Sequence, residues 1–179
     1  MAIFEVLNNQ QSYFNRYFRR NVGDDDYATI PEVTLAGDFV IEFDFFAASK
    51  PNSIFMGDSH ALSYYFNITA PDFEVWVAGN KYEFAHGLGE SVFGKLRHIK
   101  YELVGTLLSV YLDDSLLSSQ VVVPFTGSNS FRLYSSNSVT DSNLLGILAN
   151  LKIYDNGTLV RDYPINDNSS TIRDLANGQ

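Results

Sequence analysis

The strongest constraint on the fold of this chain is a two-residue alternation of apolar and polar side chains, clearest in the stretch FVIEFDFF at residues 39–46. Successive side chains of a β-strand point to opposite faces, so the four apolar residues at odd positions share one face, while Glu42 and Asp44 share the other. Similar short segments follow at spacings of about 8–12 residues, with turn-forming residues between them and no convincing helical periodicity. This pattern predicts an all-β chain that forms an antiparallel β-sandwich or barrel.

Turn signals predict where the strands reverse direction. Glycine beside Asn or Thr marks tight turns at Gly79-Asn80 and Gly105-Thr106. A further turn is predicted at Asp155-Asn156-Gly157, and a pair of acidic residues marks another at Asp113-Asp114. These turns divide the chain from about residue 73 onward into strands short enough for a sandwich.

Composition narrows the functional class. The 179 residues include no cysteine, which excludes disulfides, thiolate nucleophiles and cysteine-ligated metal centres. The net charge of −9 repels phosphate groups, so we predict no nucleic acid partner. The N-terminus lacks a basic segment followed by a long apolar core, and no apolar run approaches the roughly 18 residues of a membrane span. We therefore predict no signal peptide and no membrane insertion.

Three segments of the chain, taken in order, match one family pattern. The first is VGDDDYATIPEVTLAGDFVIEFDFF, the second is LRHIKYELVGTLLSVYLDDSLL, and the third is GILANLKIYDNGTLVRDYPI. They resemble the opening, the central hairpin and a late strand of concanavalin A-like jelly rolls of the laminin G type, over roughly residues 20–163. The chain departs from that pattern at Arg97, where the family has Trp beside the residue equivalent to His98, and at Asp114, where it has the hairpin Gly. The resemblance implies a concanavalin A-like jelly roll, a fold shared by lectins, glycan-binding modules, glucanases and adhesion domains.

The same comparison suggests how the chain is divided. We predict an N-terminal strand or arm at residues 1–20, the jelly-roll domain at 21–163, and a C-terminal tail or closing segment at 164–179. The ending RDYPINDNSSTIRDLANGQ resembles the closing segment of such domains in phage tail or head proteins. This resemblance implies a location on a virion surface, or otherwise outside a cell.

Glu42 and Asp44 are the first candidates for a functional site. They resemble the first two acidic positions of the E-x-D-x-x-E strand of laminarinase-type glucanases, but the third position is Ala47. A retaining glycosidase needs two carboxyl groups about 5–5.5 Å apart. The pair therefore has three interpretations: a ligand- or metal-binding pair, the catalytic pair of a divergent glycoside hydrolase, or the solvent-facing side of an amphipathic strand.

Asp24, Asp25 and Asp26 form an acidic loop beside Gly23. Calcium prefers hard oxygen ligands from such loops, and the laminin G resemblance implies a calcium site at a sandwich edge. A solvated turn is the alternative interpretation. For His98 the resemblance implies a hydrogen-bonded structural role, with a general base as the alternative. The chain contains neither a nucleophile-elbow motif nor a phosphate-binding glycine motif.

Aromatic residues supply the second candidate site. In FEVWVA (73–78) the alternation places Glu74 and Trp76 on the face opposite the core residues, and three tyrosines lie on adjacent predicted strands or loops: Tyr64, Tyr65 and Tyr82. Aromatic rings stack under the apolar faces of sugars, while neighbouring polar groups bind the hydroxyls. We predict ligand binding by Trp76, Glu74, Tyr64 and Tyr82, together with Glu42 and Asp44. The alternative is that Trp76 belongs to the core.

These patterns predict a non-catalytic, surface-exposed, lectin-like domain that binds glycans or cell-surface polysaccharide and helps a phage virion attach to its host. A purely structural decoration or fibre protein, contacting further copies of itself or other virion proteins, is one alternative. A divergent glycoside hydrolase is the other.

Overall fold

The computed structural model describes residues 28–48, 53–57, 63–69, 71–133, 146–164 and 174–176. Within these ranges the chain is built from short strands, and its one helix is a 3-10 turn at Gly89–Val92. The strands are β1 (Ala28–Thr29), β2 (Val33–Leu35), β3 (Phe39–Ala47), β4 (Ser53–Gly57), β5 (Tyr64–Ile68), β6 (Asp72–Val77), β7 (Asn80–Ala85), β8 (Leu96–Val104), β9 (Leu107–Leu112), β10 (Ser115–Val121), β11 (Gly127–Asn129), β12 (Arg132–Leu133), β13 (Gly146–Asp155) and β14 (Thr158–Tyr163).

The described strands form two six-stranded sheets and one small pair. The first sheet has the order β1-β12-β4-β5-β6-β7, the second has the order β10-β9-β8-β3-β13-β14, and β2 pairs with β11. All neighbouring strands are antiparallel. The predicted all-β class and antiparallel sandwich are therefore confirmed.

Aromatic packing between the sheets forms the core. The odd positions of β3 are buried from Phe39 to Phe45, as the alternation predicts. From the first sheet Phe55 reaches between two of them, with ring centroids 5.2 Å from Phe43 and 4.7 Å from Phe45. Each fully buried phenylalanine contributes about 1.5–3 kcal/mol through loss of hydration, so this layer is a major source of stability.

Three hairpins reverse through two-residue turns in which both residues have positive φ. They are Ala78-Gly79 (46° and 85°), Asp113-Asp114 (49° and 65°) and Asn156-Gly157 (47° and 75°). This backbone follows the right-handed twist of paired strands, and glycine, Asn and Asp adopt it at least cost. The turn predicted at Asp113-Asp114 is confirmed. The one predicted at Asp155-Asn156-Gly157 is confirmed at its last two residues, because Asp155 still belongs to β13. The one predicted at Gly79-Asn80 is wrong by one residue, because Asn80 begins β7 and Ala78 takes the first turn position.

Two edge strands, β7 and β10, lie next to each other along one flank of the sandwich. The Gln120 side chain of β10 donates a hydrogen bond to the backbone oxygen of Glu83 in β7. Just after β10, the backbone N–H of Val123 donates to the hydroxyl of Tyr82 at 3.2 Å. The rims of the two sheets are therefore joined on this side.

The described part of the C-terminal segment packs on β14. Buried Asp174 accepts a hydrogen bond from the backbone N–H of Asp162 at 2.9 Å, and the N–H of Leu175 donates to the oxygen of Asp162 at 2.8 Å. The predicted arm at residues 1–20 lies outside the described residues, and the domain division stays a prediction. None of the described residues belongs to a helix long and apolar enough to cross a bilayer.

We predict that Tyr101→Phe leaves the free energy of unfolding unchanged or raises it by up to about 1 kcal/mol. The Tyr101 ring packs 4.7 Å from Phe66, but its buried hydroxyl has no hydrogen-bond partner among the described residues. Removing an unsatisfied buried hydroxyl removes a desolvation cost and keeps the ring. Urea unfolding followed by fluorescence measures the change.

Tyr64→Phe is the matched control. The hydroxyl of Tyr64 accepts a hydrogen bond from the backbone N–H of Phe125 at 3.2 Å, so its loss lowers stability by about 0.5–1.5 kcal/mol. A loss in Tyr101→Phe equal to that in Tyr64→Phe contradicts the prediction.

Candidate functional site

Trp76 lies on the outer face of the first sheet. Along β6 the fully buried residues Phe73, Val75 and Val77 alternate with half-buried residues on the other face. Those half-buried residues are Asp72, Glu74 and Trp76. The predicted placement of Glu74 and Trp76 on one face, opposite the core residues, matches the structure.

Strand register brings partners to Trp76 from both sides. Tyr65 of β5 lies directly opposite Trp76, and so does Lys81 of β7. In the next cross-strand row, Glu74 lies between Asn67 and Glu83. We call these two rows the Trp76 face: Tyr65, Trp76, Lys81, Asn67, Glu74 and Glu83.

Hydrogen bonds and ion pairs fix the polar groups of the Trp76 face. Asn67 Nδ2 donates to Glu74 Oε2 at 3.2 Å, and Lys81 Nζ lies 3.6 Å from Glu74 Oε1. Lys81 Nζ also donates to Glu83, and this bond, with the charge of Glu74, raises the pKa of Lys81. Burial, and then the nearby charge of Glu74, raise the pKa of the Tyr65 hydroxyl. The face therefore combines a half-buried indole with a carboxylate held in place from two sides.

Tyr64 does not belong to this face, which corrects the sequence prediction. Its side chain is 1% exposed and points into the sandwich, where its ring packs 5.0 Å from Phe39. A direct ligand contact does not fit this position. The residue that faces outward beside Trp76 is Tyr65. Every residue of β5 is buried, so the strand has no alternation of apolar and polar side chains that would show which tyrosine faces outward. The register of the β5–β6 hairpin is the signal that separates the two tyrosines.

Tyr82 also departs from the predicted arrangement. It is half-buried, packs against the core from edge strand β7, and its hydroxyl accepts the bond from Val123 described above. Its ring lies on the inward side of the strand, whereas Lys81 and Glu83 lie on the outward side.

Glu42 and Asp44 lie on the outer face of the other sheet, so the predicted site residues divide between two faces. Asp44 Oδ1 is 2.8 Å from His98 Nδ1, and Asp44 Oδ2 accepts a hydrogen bond from Asn150 Nδ2 at 2.6 Å. Asn150 has a φ of 52° and lies in a β-bulge of β13. With both carboxylate oxygens engaged, Asp44 ties three strands together. The hydrogen-bonded structural role predicted for His98 agrees with this contact.

Glu42 lies in a row of alternating charge on the second sheet. The register places Lys100 on one side of it and Lys152 on the other, with Asp162 beyond Lys152. Lys100 Nζ lies 3.9 Å from the centroid of the Tyr111 ring and 3.7 Å from a carboxylate oxygen of Glu102. We call the row Asp162–Lys152–Glu42–Lys100 the charge ladder. This setting fits the interpretation of Glu42 as the polar side of an amphipathic strand.

The predicted calcium ligands Asp24, Asp25 and Asp26 lie outside the described residues, so calcium binding stays a prediction. In the part of the chain that the structure describes, no group of three or more His, Asp or Glu residues is placed to hold a metal ion. Asp113, the first residue of a hairpin turn, is engaged by the side chain of Arg97 and the backbone N–H of His98.

No family model and no curated protein matches the sequence, whereas solved structures share the fold. A Bacteroides ovatus protein provisionally described as carbohydrate-binding superposes with a TM-score of 0.61 at 10% identity, over 83% of this chain and 54% of that one. Domains LG4-5 of the mouse laminin α1 chain give 0.55 at 13% identity, over 75% of this chain and 41% of that one. Sheep galectin-11, in complex with glycerol, gives 0.51 at 7% identity, over 74% of this chain and all of that one. This chain thus spans about two fifths of the laminin fragment, and the predicted concanavalin A-like jelly roll is confirmed at the level of the fold.

We predict that stability falls as the pH rises from about 10 to about 12. Burial raises the pKa of Tyr64 to about 12 and also raises that of Tyr65, whereas unfolded tyrosines ionise near 10. The folded state holds these protons more tightly, so the stabilisation is complete below pH 10 and is lost on approaching pH 12. Urea midpoints between pH 8 and pH 11.5 measure the fall. Tyr65→Phe removes one of these groups and gives a shallower slope; an unchanged slope contradicts the assignment.

Proposed function

We propose that this chain is a non-catalytic, lectin-like carbohydrate-binding domain that holds its ligand on the Trp76 face. The observation that carries the proposal is the position of Trp76, half-buried on the outside of a sheet beside Glu74 and Lys81. A pyranose ring has an apolar C–H face that fits an indole, and its hydroxyls require polar groups at the edge of that indole. The neighbours described as a carbohydrate-binding protein and as a galectin support the same class of ligand.

Preorganisation favours this face over a chance surface patch. Asn67 and Lys81 hold Glu74, whose side chain is 14% exposed. Its carboxylate therefore loses little conformational entropy when it accepts a hydrogen bond from a sugar hydroxyl. Each carboxylate has about four lone-pair sites, and the two existing contacts leave some for a ligand.

The small exposed area of this face, where Trp76 and Glu74 are only partly exposed, also suggests modest affinity at each site. Display in many copies compensates for weak single contacts, because linked sites bind together. The proposal therefore includes the location predicted from the sequence: a virion or other extracellular surface, where the domain contributes to host attachment. The predicted calcium site at Asp24–Asp26 is part of the same proposal.

A non-catalytic role is supported by the second sheet. The carboxylate that resembles a glucanase residue, Asp44, accepts hydrogen bonds on both oxygens, and its neighbour Glu42 lies between two lysines. A retaining glycosidase needs one of its two carboxyl groups as a proton donor. Both oxygens of Asp44 are instead engaged in contacts that join three strands of the sheet.

The test is a glycan array, followed by calorimetry with the best oligosaccharide, with and without millimolar calcium. Trp76→Ala weakens binding at least about tenfold, because an aromatic contact worth about 1.5 kcal/mol is lost. Tyr111→Ala, on the outer face of the other sheet, is the matched control and leaves affinity within about twofold. The proposal fails if the wild type binds no glycan, or if both variants weaken binding equally.

A structural role is the second candidate, and one observation favours it. Val104, Leu107 and Val121 lie side by side on the outer face of the second sheet, 58%, 45% and 72% exposed. Burial of these apolar side chains against the same row of a second copy would remove them from water, as a two-fold interface brings one surface patch against itself. We take a second copy of this chain as the occupant of this face.

Sedimentation tests the second candidate. A dimer or larger assembly that dissociates in Leu107→Lys but persists in Leu175→Lys, an exposed leucine outside the sheets, supports it. A monomeric wild type at tens of micromolar excludes this role.

A further inference from the structure

The charge balance of the Trp76 face limits the ligand it can take. On the outward side of β6 and β7 the carboxylates of Asp72, Glu74 and Glu83 accompany a single ammonium group, that of Lys81. Lys81 is already bonded to Glu83 and lies within 3.6 Å of Glu74. Lys81 is therefore neutralised within the face, and the described residues leave its net charge negative.

Among the described residues of the first sheet, the other cation on this side lies three strands away from β6. Arg132 of β12 shares the row of Tyr65 and Trp76, but β4 and β5 separate it from β6. Three strand spacings of about 4.8 Å place its backbone roughly 14 Å from that of Trp76. Arg132 is therefore not a direct cross-strand neighbour of Trp76.

We infer that the glycan held on this face carries no carboxylate, sulfate or phosphate group. The inference rests on the proposed function and names its ligand class: neutral sugars, recognised through hydroxyls that donate to Glu74 and Glu83. An anionic substituent at the edge of the indole meets a partly buried carboxylate, where screening by water is weak. Like charges at close range oppose binding, so the acidic face selects against acidic glycans. The overall charge of −9 adds repulsion at longer range.

Matched oligosaccharide pairs test this inference. Each pair consists of a neutral oligosaccharide and the same molecule with one added sialic acid or sulfate ester, measured by calorimetry at about 50 mM salt. The neutral member binds at least about tenfold more tightly, and the difference narrows as salt is raised because the repulsion is screened.

Charge variants locate the cause. Glu83→Gln removes the exposed carboxylate of the Trp76 face. It reduces the ratio of affinities between the neutral and the acidic member of a pair by about threefold or more. Glu90→Gln, in the exposed 3-10 turn, removes the same charge elsewhere and leaves the difference unchanged. Equal or tighter binding of the acidic members overturns the inference while the carbohydrate-binding role stands. If no member of any pair binds, the proposed function itself fails and the inference fails with it.

Discussion

The structure depends on the burial of one face of β3 against the first sheet. Phe55 enters between Phe43 and Phe45, and Phe66 meets Tyr101 on the next strand, so rings from both sheets share one layer. A shift of a single residue in β3 would turn these rings to the solvent and bring Glu42 and Asp44 into the core. Aromatic burial therefore fixes the register of the sandwich, and the register decides which side chains remain on its two outer faces.

Those outer faces differ in the way their charges are used. On the second sheet both carboxylate oxygens of Asp44 are engaged by His98 and Asn150, and these contacts connect β8, β3 and β13. On the first sheet Glu74 is held by Asn67 and Lys81 but lies next to an indole that stays partly exposed. Both arrangements hold a carboxylate in a fixed position. Of the two, it is Glu74 that lies beside an indole, so a small ligand could contact an apolar and a polar group there at once. A sandwich whose interior is filled by its own rings leaves recognition to such surfaces.

The sequence predicted well wherever one face was buried and the other was not. The alternation of β3 and β6 gave the correct sides for Phe43 and Trp76, and glycine, Asn and Asp marked two of the three left-handed turns. In β5 every residue is buried, so no alternation remained to distinguish Tyr64 from Tyr65. The partners of Asp44 lie 54 and 106 residues away and meet it only through sheet pairing and a bulge, which local patterns do not encode.

The hydrogen bonds that join β7 and β10 affect how the protein aggregates at high protein concentration. An unpaired strand edge is a template on which a neighbouring molecule can add its own strand and begin a fibre. Here the side chain of Gln120 caps a carbonyl of β7, and the hydroxyl of Tyr82 takes the N–H that follows β10. Along this flank each sheet occupies hydrogen-bonding groups of the other, so crowded copies are discouraged from polymerising by strand addition there.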